Sequence, residues 1–120
     1  MTAKSFRRDQ RINEVIQMSL ANIIQREGTD LQLTTMVTVT GVNVAHDLSH
    51  AKVFVSVLEE GKALETVKLL NHSTKHLRHL LADSVRLRVV PDLKFVYDDS
   101  ILRGNRITSL ISTALKNSAK

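Results

Sequence analysis

No cysteine occurs anywhere in the 120 residues. Disulfides, thiolate nucleophiles and cysteine-ligated zinc are therefore excluded, and a reducing compartment poses no difficulty. Proline is nearly absent as well, so Pro91 alone must interrupt a helix. The four glycines stand singly at positions 28, 41, 61 and 104, which leaves no glycine loop to cradle a phosphate. Aromatics are limited to Phe6, Phe54, Phe95 and Tyr97. A sheet that stacks successive bases needs more of them, so RNA shape and backbone are the expected object of recognition. No apolar run approaches the roughly 18 residues of a membrane span. The opening Met1-Thr2-Ala3-Lys4-Ser5-Phe6-Arg7-Arg8 lacks the apolar stretch of a secretory signal. These absences predict a cytoplasmic protein with no membrane partner.

What is present is a core and a positive charge. Apolar residues make up 42% of the chain, mostly Leu, Val and Ile, enough for one domain of this length to fold without staples. The formal net charge is +5, which favours a polyanionic partner.

Residues 9–26 carry Ile12, Val15, Ile16, Leu20, Ile23 and Ile24 at helical spacing, with Arg11, Glu14, Gln17 and Gln25 opposite. Asp9 or Ser5 is expected to cap this helix, and Gly28 follows its end. From residue 35 to 58 the period becomes two. Val37 and Val39 alternate with Thr38 and Thr40, and the apolar phase then slips across Gly41 to Val42 and Val44, which predicts a β-bulge. After the turn Ala45-His46-Asp47-Leu48-Ser49, Ala51, Val53, Val55 and Val57 share one strand face, and Lys52, Phe54 and Ser56 the other. An antiparallel hairpin is expected. A second helical stretch covers residues 62–87, with Leu64, Val67, Leu70, Leu77, Leu80, Leu81 and Val85 on its apolar face. Its middle, Asn71-His72-Ser73-Thr74, is poor in helix formers and predicts a kink. Pro91 ends it, a third strand carries Leu93, Phe95 and Tyr97, and Ile107, Leu110, Ile111, Ala114 and Leu115 mark a C-terminal helix. The pattern specifies one α+β domain with helices on one face of a three-stranded sheet.

Little in the chain resembles an active site. His72, His76 and His79 share a helix face with Asp83, but three ligands from one helix rarely close the tetrahedron of a structural zinc site. His46, Asp47 and His50 sit in a hairpin turn, where polar residues collect for local reasons. Glu59-Glu60 and Asp98-Asp99 are expected to be solvated charges at strand ends. No catalytic set, metal or cofactor is predicted. The basic residues are more informative. Lys68, His72, Lys75, His79 and Arg86 fall on one arc opposite the apolar face, counting 100° per residue along the segment. Further basic zones are Lys4-Arg7-Arg8-Arg11 near the start and Arg103, Arg106, Lys116 and Lys120 near the end. Three such zones suit phosphate tracking.

The segment Leu87-Arg88-Val89-Val90-Pro91-Asp92-Leu93-Lys94-Phe95-Val96-Tyr97-Asp98 resembles the signature of the bacterial ribosome-binding factor A family. So do Arg7-Arg8-Asp9-Gln10-Arg11-Ile12, Asp47-Leu48-Ser49-His50-Ala51-Lys52-Val53-Phe54-Val55, and Leu102-Arg103-Gly104-Asn105-Arg106-Ile107. The resemblance covers nearly the whole chain in one order. It implies an α+β fold of the type II KH-like class, ordered helix, strand, strand, helix, kink, helix, strand, with a C-terminal tail helix. Where the family usually has Ala-x-Gly at the kink, this chain has Ser73-Thr74-Lys75. The implied organisation is a KH-like RNA-binding domain with a basic N-terminal helix over 1–98, and a basic, partly helical tail over 99–120. The implied function is that of a non-catalytic assembly factor, needed most in the cold. It would act as a monomer that binds the immature 30S ribosomal subunit and 16S rRNA and promotes late maturation and 5′-end processing. Charge places RNA contact on Arg7, Arg8, Arg11, Lys75, Arg78, Arg86, Arg88, Arg103 and Arg106. The alternatives are a small RNA-processing enzyme and a generic KH-type binder of single-stranded RNA.

Overall fold

The structure, a computed structural model, describes residues 3–87 and 89–100, with side chains from Gln10 onward. The expected C-terminal helix lies outside the described residues.

Helix α1 spans Ala3–Arg26. Ser5 and Asp9 therefore lie inside the helix and do not cap it; no proline or glycine stops the winding before them, and the Arg and Gln residues around them are good helix formers. Its buried stripe is Ile16, Leu20, Ile23 and Ile24, while Val15 sits at the margin and is 38% exposed. Beyond Arg26 the chain turns, with Gln32 in the left-handed region at φ 60°, and Leu31 drops into the core.

Strands β1 (Val37–Val44) and β2 (His50–Val57) form the expected antiparallel hairpin. The pairing runs Val39↔Val55 and then Gly41↔Phe54, so Thr40 is the extra residue of a bulge beside the glycine. The Thr40 hydroxyl donates to Asp98 Oδ2 at 2.6 Å and lies 3.2 Å from the Phe54 carbonyl, which ties the bulge across β2 to the end of the third strand. In the hairpin turn, Asp47 Oδ1 accepts from the Ser49 amide at 3.0 Å and the Ser49 hydroxyl at 2.6 Å. The hydroxyl bond, followed by the amide bond, holds the Asp47 carboxyl below its ordinary pKa.

After a single 3-10 turn at Glu60–Lys62, the predicted long helix is two helices, α2 (Ala63–His72) and α3 (Thr74–Ser84). The break falls at Ser73, inside the stretch of weak helix formers. Its amide is shared between the carbonyls of Leu69 and Leu70, each at 3.1 Å. Helix α3 stops at Ser84, short of residue 87, so Arg86 and Leu87 lie beyond it. Leu70, Leu77 and Leu81 are fully buried as the periodicity requires, but Leu64 is 86% exposed. The inward positions at the start of α2 are Ala63 and Thr66, and Leu64, one residue round from Ala63, points away.

Strand β3 (Asp92–Tyr97) pairs in parallel with β2, giving a mixed sheet in the order β1-β2-β3. Val39, Val42, Ala51, Val53, Val55, Leu93 and Phe95 face the helices and join their leucines and isoleucines in one core.

Side-chain amides cap part of each sheet edge, where unpaired backbone groups invite further strands. On β1, Gln17 Nε2 donates to the Val39 carbonyl at 3.2 Å, and the Val44 amide donates to Asn13 Oδ1 at 2.9 Å. On β3, Asn71 answers both backbone groups of Phe95, donating from Nδ2 to the carbonyl at 3.1 Å and accepting from the amide at 2.9 Å. The poor helix former before the break is there to hold an edge strand. Asn71→Ala should lower the unfolding free energy by about 1–2 kcal/mol, since it strips two bonds from Phe95. Urea denaturation measures this, and an unchanged midpoint would mean water replaces the amide at no cost.

Candidate nucleic-acid interface

The expected cations whose side chains are described lie on different elements. Arg11 is exposed on the first half of α1, and Lys75 is exposed in the first turn of α3. Arg86 is exposed in the connection after α3. The side chains of Arg7 and Arg8, and Arg88, Arg103 and Arg106 altogether, lie outside the described residues. The proposed single stripe of Lys68, His72, Lys75, His79 and Arg86 is corrected. Ser73 divides it between two helices, and Arg86 belongs to neither.

Arg78 has a structural position. Its Nε donates to the Pro91 carbonyl at 3.1 Å, one terminal nitrogen donates to the Val90 carbonyl at 3.0 Å, and the other lies 3.1 Å from Asp92 Oδ1. The planar fork gathers the segment entering β3 and pins Pro91, itself buried, against α3. Charge alone marked it for RNA, and each of its three nitrogens has a partner within the fold.

The histidines form no ligand cluster. His76 Nε2 stands 3.9 Å from Glu27 Oε2 and His79 Nε2 stands 4.0 Å from Asp83 Oδ2. Among the described residues no group of three or more His, Cys, Asp or Glu is placed to hold a metal. A cavity of about 550 Å³ between the end of α1 and β1 is lined by Ala21, Ile24, Leu33, Met36 and their neighbours, with no titratable side chain among them. Nor does any described helix have the length and apolarity to cross a membrane.

The surface retains many uncompensated cations. Among the described residues, Lys62 pairs with Glu59 at 3.4 Å and Arg78 with Asp92, while Arg11, Arg26, Lys68, Lys75 and Arg86 form no ion pair. Two more unpaired lysines, Lys52 and Lys94, were not among the expected contacts. Strand alternation placed each on an outward face, but only the pairing of β2 with β3 sets them side by side.

The sequence profile of ribosome-binding factor A matches residues 8–111. Ribosome-binding factor A of Pseudomonas aeruginosa is 45% identical over 116 residues, covering 94% of this chain and 89% of that protein. The factor of Coxiella burnetii is 46% identical over 109 residues, or 91% of each chain. This chain belongs to the ribosome-binding factor A family. Solved members share its fold. The crystal structure of ribosome-binding factor A from Thermus thermophilus superimposes with a TM-score of 0.63 at 27% identity, covering 74% of this chain and 94% of that one. A homology model of the Thermus thermophilus factor, fitted into a cryo-electron-microscopy map of a 30S complex, matches with a TM-score of 0.57 at 30% identity. It covers 71% of this chain and 89% of that one.

Proposed function

We propose that this chain is a ribosome assembly factor of the cytoplasm, which binds the immature 30S subunit through 16S rRNA and promotes late maturation and 5′-end processing. The observation that carries this reading is membership of a family one of whose members, as a homology model, is fitted into the map of a 30S complex. The unpaired cations of α1, α2 and α3 support it, because each phosphate neutralised releases counterions and adds affinity. The order helix, strand, strand, helix, break, helix, strand supports a type II KH-like domain. At the break Ser73-Thr74-Lys75 supplies a cation where a single-strand KH binder has its Gly-x-x-Gly loop, so a duplex or folded rRNA surface is the better object. The partial capping of both sheet edges supports action as a monomer.

The chain acts without cutting RNA. Purified protein is expected to bind immature 30S more tightly than mature 70S and to cleave the rRNA of neither. Cells lacking it should accumulate precursor 16S rRNA and free subunits, most strongly in the cold. Replacing His46, Asp47 and His50 together with alanine should leave maturation largely intact, since Asp47 is engaged in its own turn. Loss of 5′-end processing in that variant, with folding and subunit binding preserved, would move an RNA-processing enzyme ahead of this reading.

A further inference from the structure

Among the described residues the helices pack on one face of the sheet, and the opposite face has a chemical character of its own. Lys52 on β2 pairs in register with Lys94 on β3, and both side chains are exposed. Adjacent strands lie roughly 5 Å apart, so the two side chains rise from neighbouring points and both ammonium groups can reach one phosphate. Among the described residues neither lysine forms an ion pair with an acid. Asp92, two residues before Lys94 on the same face, is taken by Arg78 at 3.1 Å, and Asp98 accepts from Thr40 at 2.6 Å. The other oxygen of Asp92 lies 3.9 Å from Nδ1 of His50, its partner in the sheet.

Two residues along β2 from Lys52 is Phe54, half-buried between its cross-strand neighbours Gly41 and Val96. At Gly41 an added Cβ would stand 4.0 Å from Phe54 Cδ2, so the glycine leaves that flank of the ring low. The step from Lys52 to Phe54 is roughly 7 Å along the strand. A nucleotide whose phosphate sits between the lysines can therefore lay its base over the ring.

We infer that the open sheet face is an RNA contact, in which Lys52 and Lys94 share a phosphate and Phe54 stacks an unpaired base beside it. The inference rests on the reading that the chain binds rRNA, and adds to it the sheet face opposite the one on which α2 and α3 pack. It needs one aromatic, not a rank of them, because the lysine pair carries the attraction and the ring only fixes one base.

The test compares wild type, K52A/K94A and Phe54→Leu for binding to protein-free 16S rRNA and to immature 30S subunits over a salt titration. Thermal melting of each variant is followed by circular dichroism. The double lysine variant should lower the slope of log affinity against log salt by roughly one unit, for one phosphate. Phe54→Leu should weaken binding by about fivefold or more with the slope unchanged, since stacking is insensitive to salt. Folded variants with wild-type affinity and slope on both targets would overturn the inference. So would a loss seen on subunits but not on protein-free rRNA, which would assign the face to a ribosomal protein. Should Phe54→Leu melt early, the lysine variant, altered only at exposed positions, decides the matter. Failure of the wild type to bind either target would instead overturn the proposed function itself, which the other outcomes leave standing.

Discussion

Truncating Leu77 to alanine is expected to lower the unfolding free energy by about 2–5 kcal/mol, a large fraction of what a domain of this size possesses. Leu77 is 0% exposed and sits on α3 in the cluster that joins both helices of the crossover to the sheet. Removing its branched end leaves a void that the rigid strands beneath cannot fill. The informative control is Leu64→Ala. That leucine belongs to the same apolar pattern in the sequence, yet it is 86% exposed. Its replacement should change stability by less than about 0.5 kcal/mol, helped by the better helix propensity of alanine. Urea denaturation of the pair, with the slope of the transition monitored, separates the two cases. Equal losses would mean that α2 buries Leu64 in solution and that its helical phase differs from the one described.

Reversing Lys75 and Arg86 together to glutamate should weaken binding to immature 30S and leave the melting temperature nearly unchanged. Both side chains are exposed and neither forms an ion pair, so the fold loses no interaction. Two lost phosphate contacts should flatten the salt dependence by roughly two units, and the new negative charges add repulsion. At low salt the effect is largest, because screening is weakest there. Filter binding or sedimentation with purified immature subunits measures it. Wild-type binding by the double variant would leave both residues as ordinary solvated cations. The RNA surface would then lie elsewhere on the chain.

The elements were legible where a side-chain period alone defines them. The hairpin, the bulge at Gly41 and the break near Ser73 each leave a local mark: a phase slip, a turn cluster, a run of weak helix formers. The start of α1 was not legible, because Ser5 and Asp9 are good caps and equally tolerable inside a helix whose arginines and glutamine favour winding. Nor was the position of Leu64, since a broken helix resets its angular phase and a pattern counted through the break carries the error forward. For the candidate site the difficulty is of another kind. Net charge and spacing treat every arginine alike, whereas Arg78 donates to two backbone carbonyls and Arg86 is exposed, with no ion pair among the described residues. Strand alternation gives the face on which Lys52 or Lys94 lies but is silent on which strand lies beside it. That neighbour is set by a long-range pairing.

The parallel pairing of β2 with β3 also governs the order in which the domain can assemble. The hairpin closes over a five-residue turn and needs only local contacts, so it can form early. His50 meets Asp92 only after α2, the break and α3 have all been traversed, and closing that loop costs chain entropy before any core contact repays it. Leu93 and Phe95, which complete the core, arrive on that last strand. A chain emerging from the ribosome therefore carries a hairpin and half-covered helices until Phe95 is available. The Asn71 amide that awaits Phe95 remains in water until then. Folding to completion is in this sense a late, single closure, and substitutions at Asn71 or Phe95 should speed unfolding more than they slow refolding.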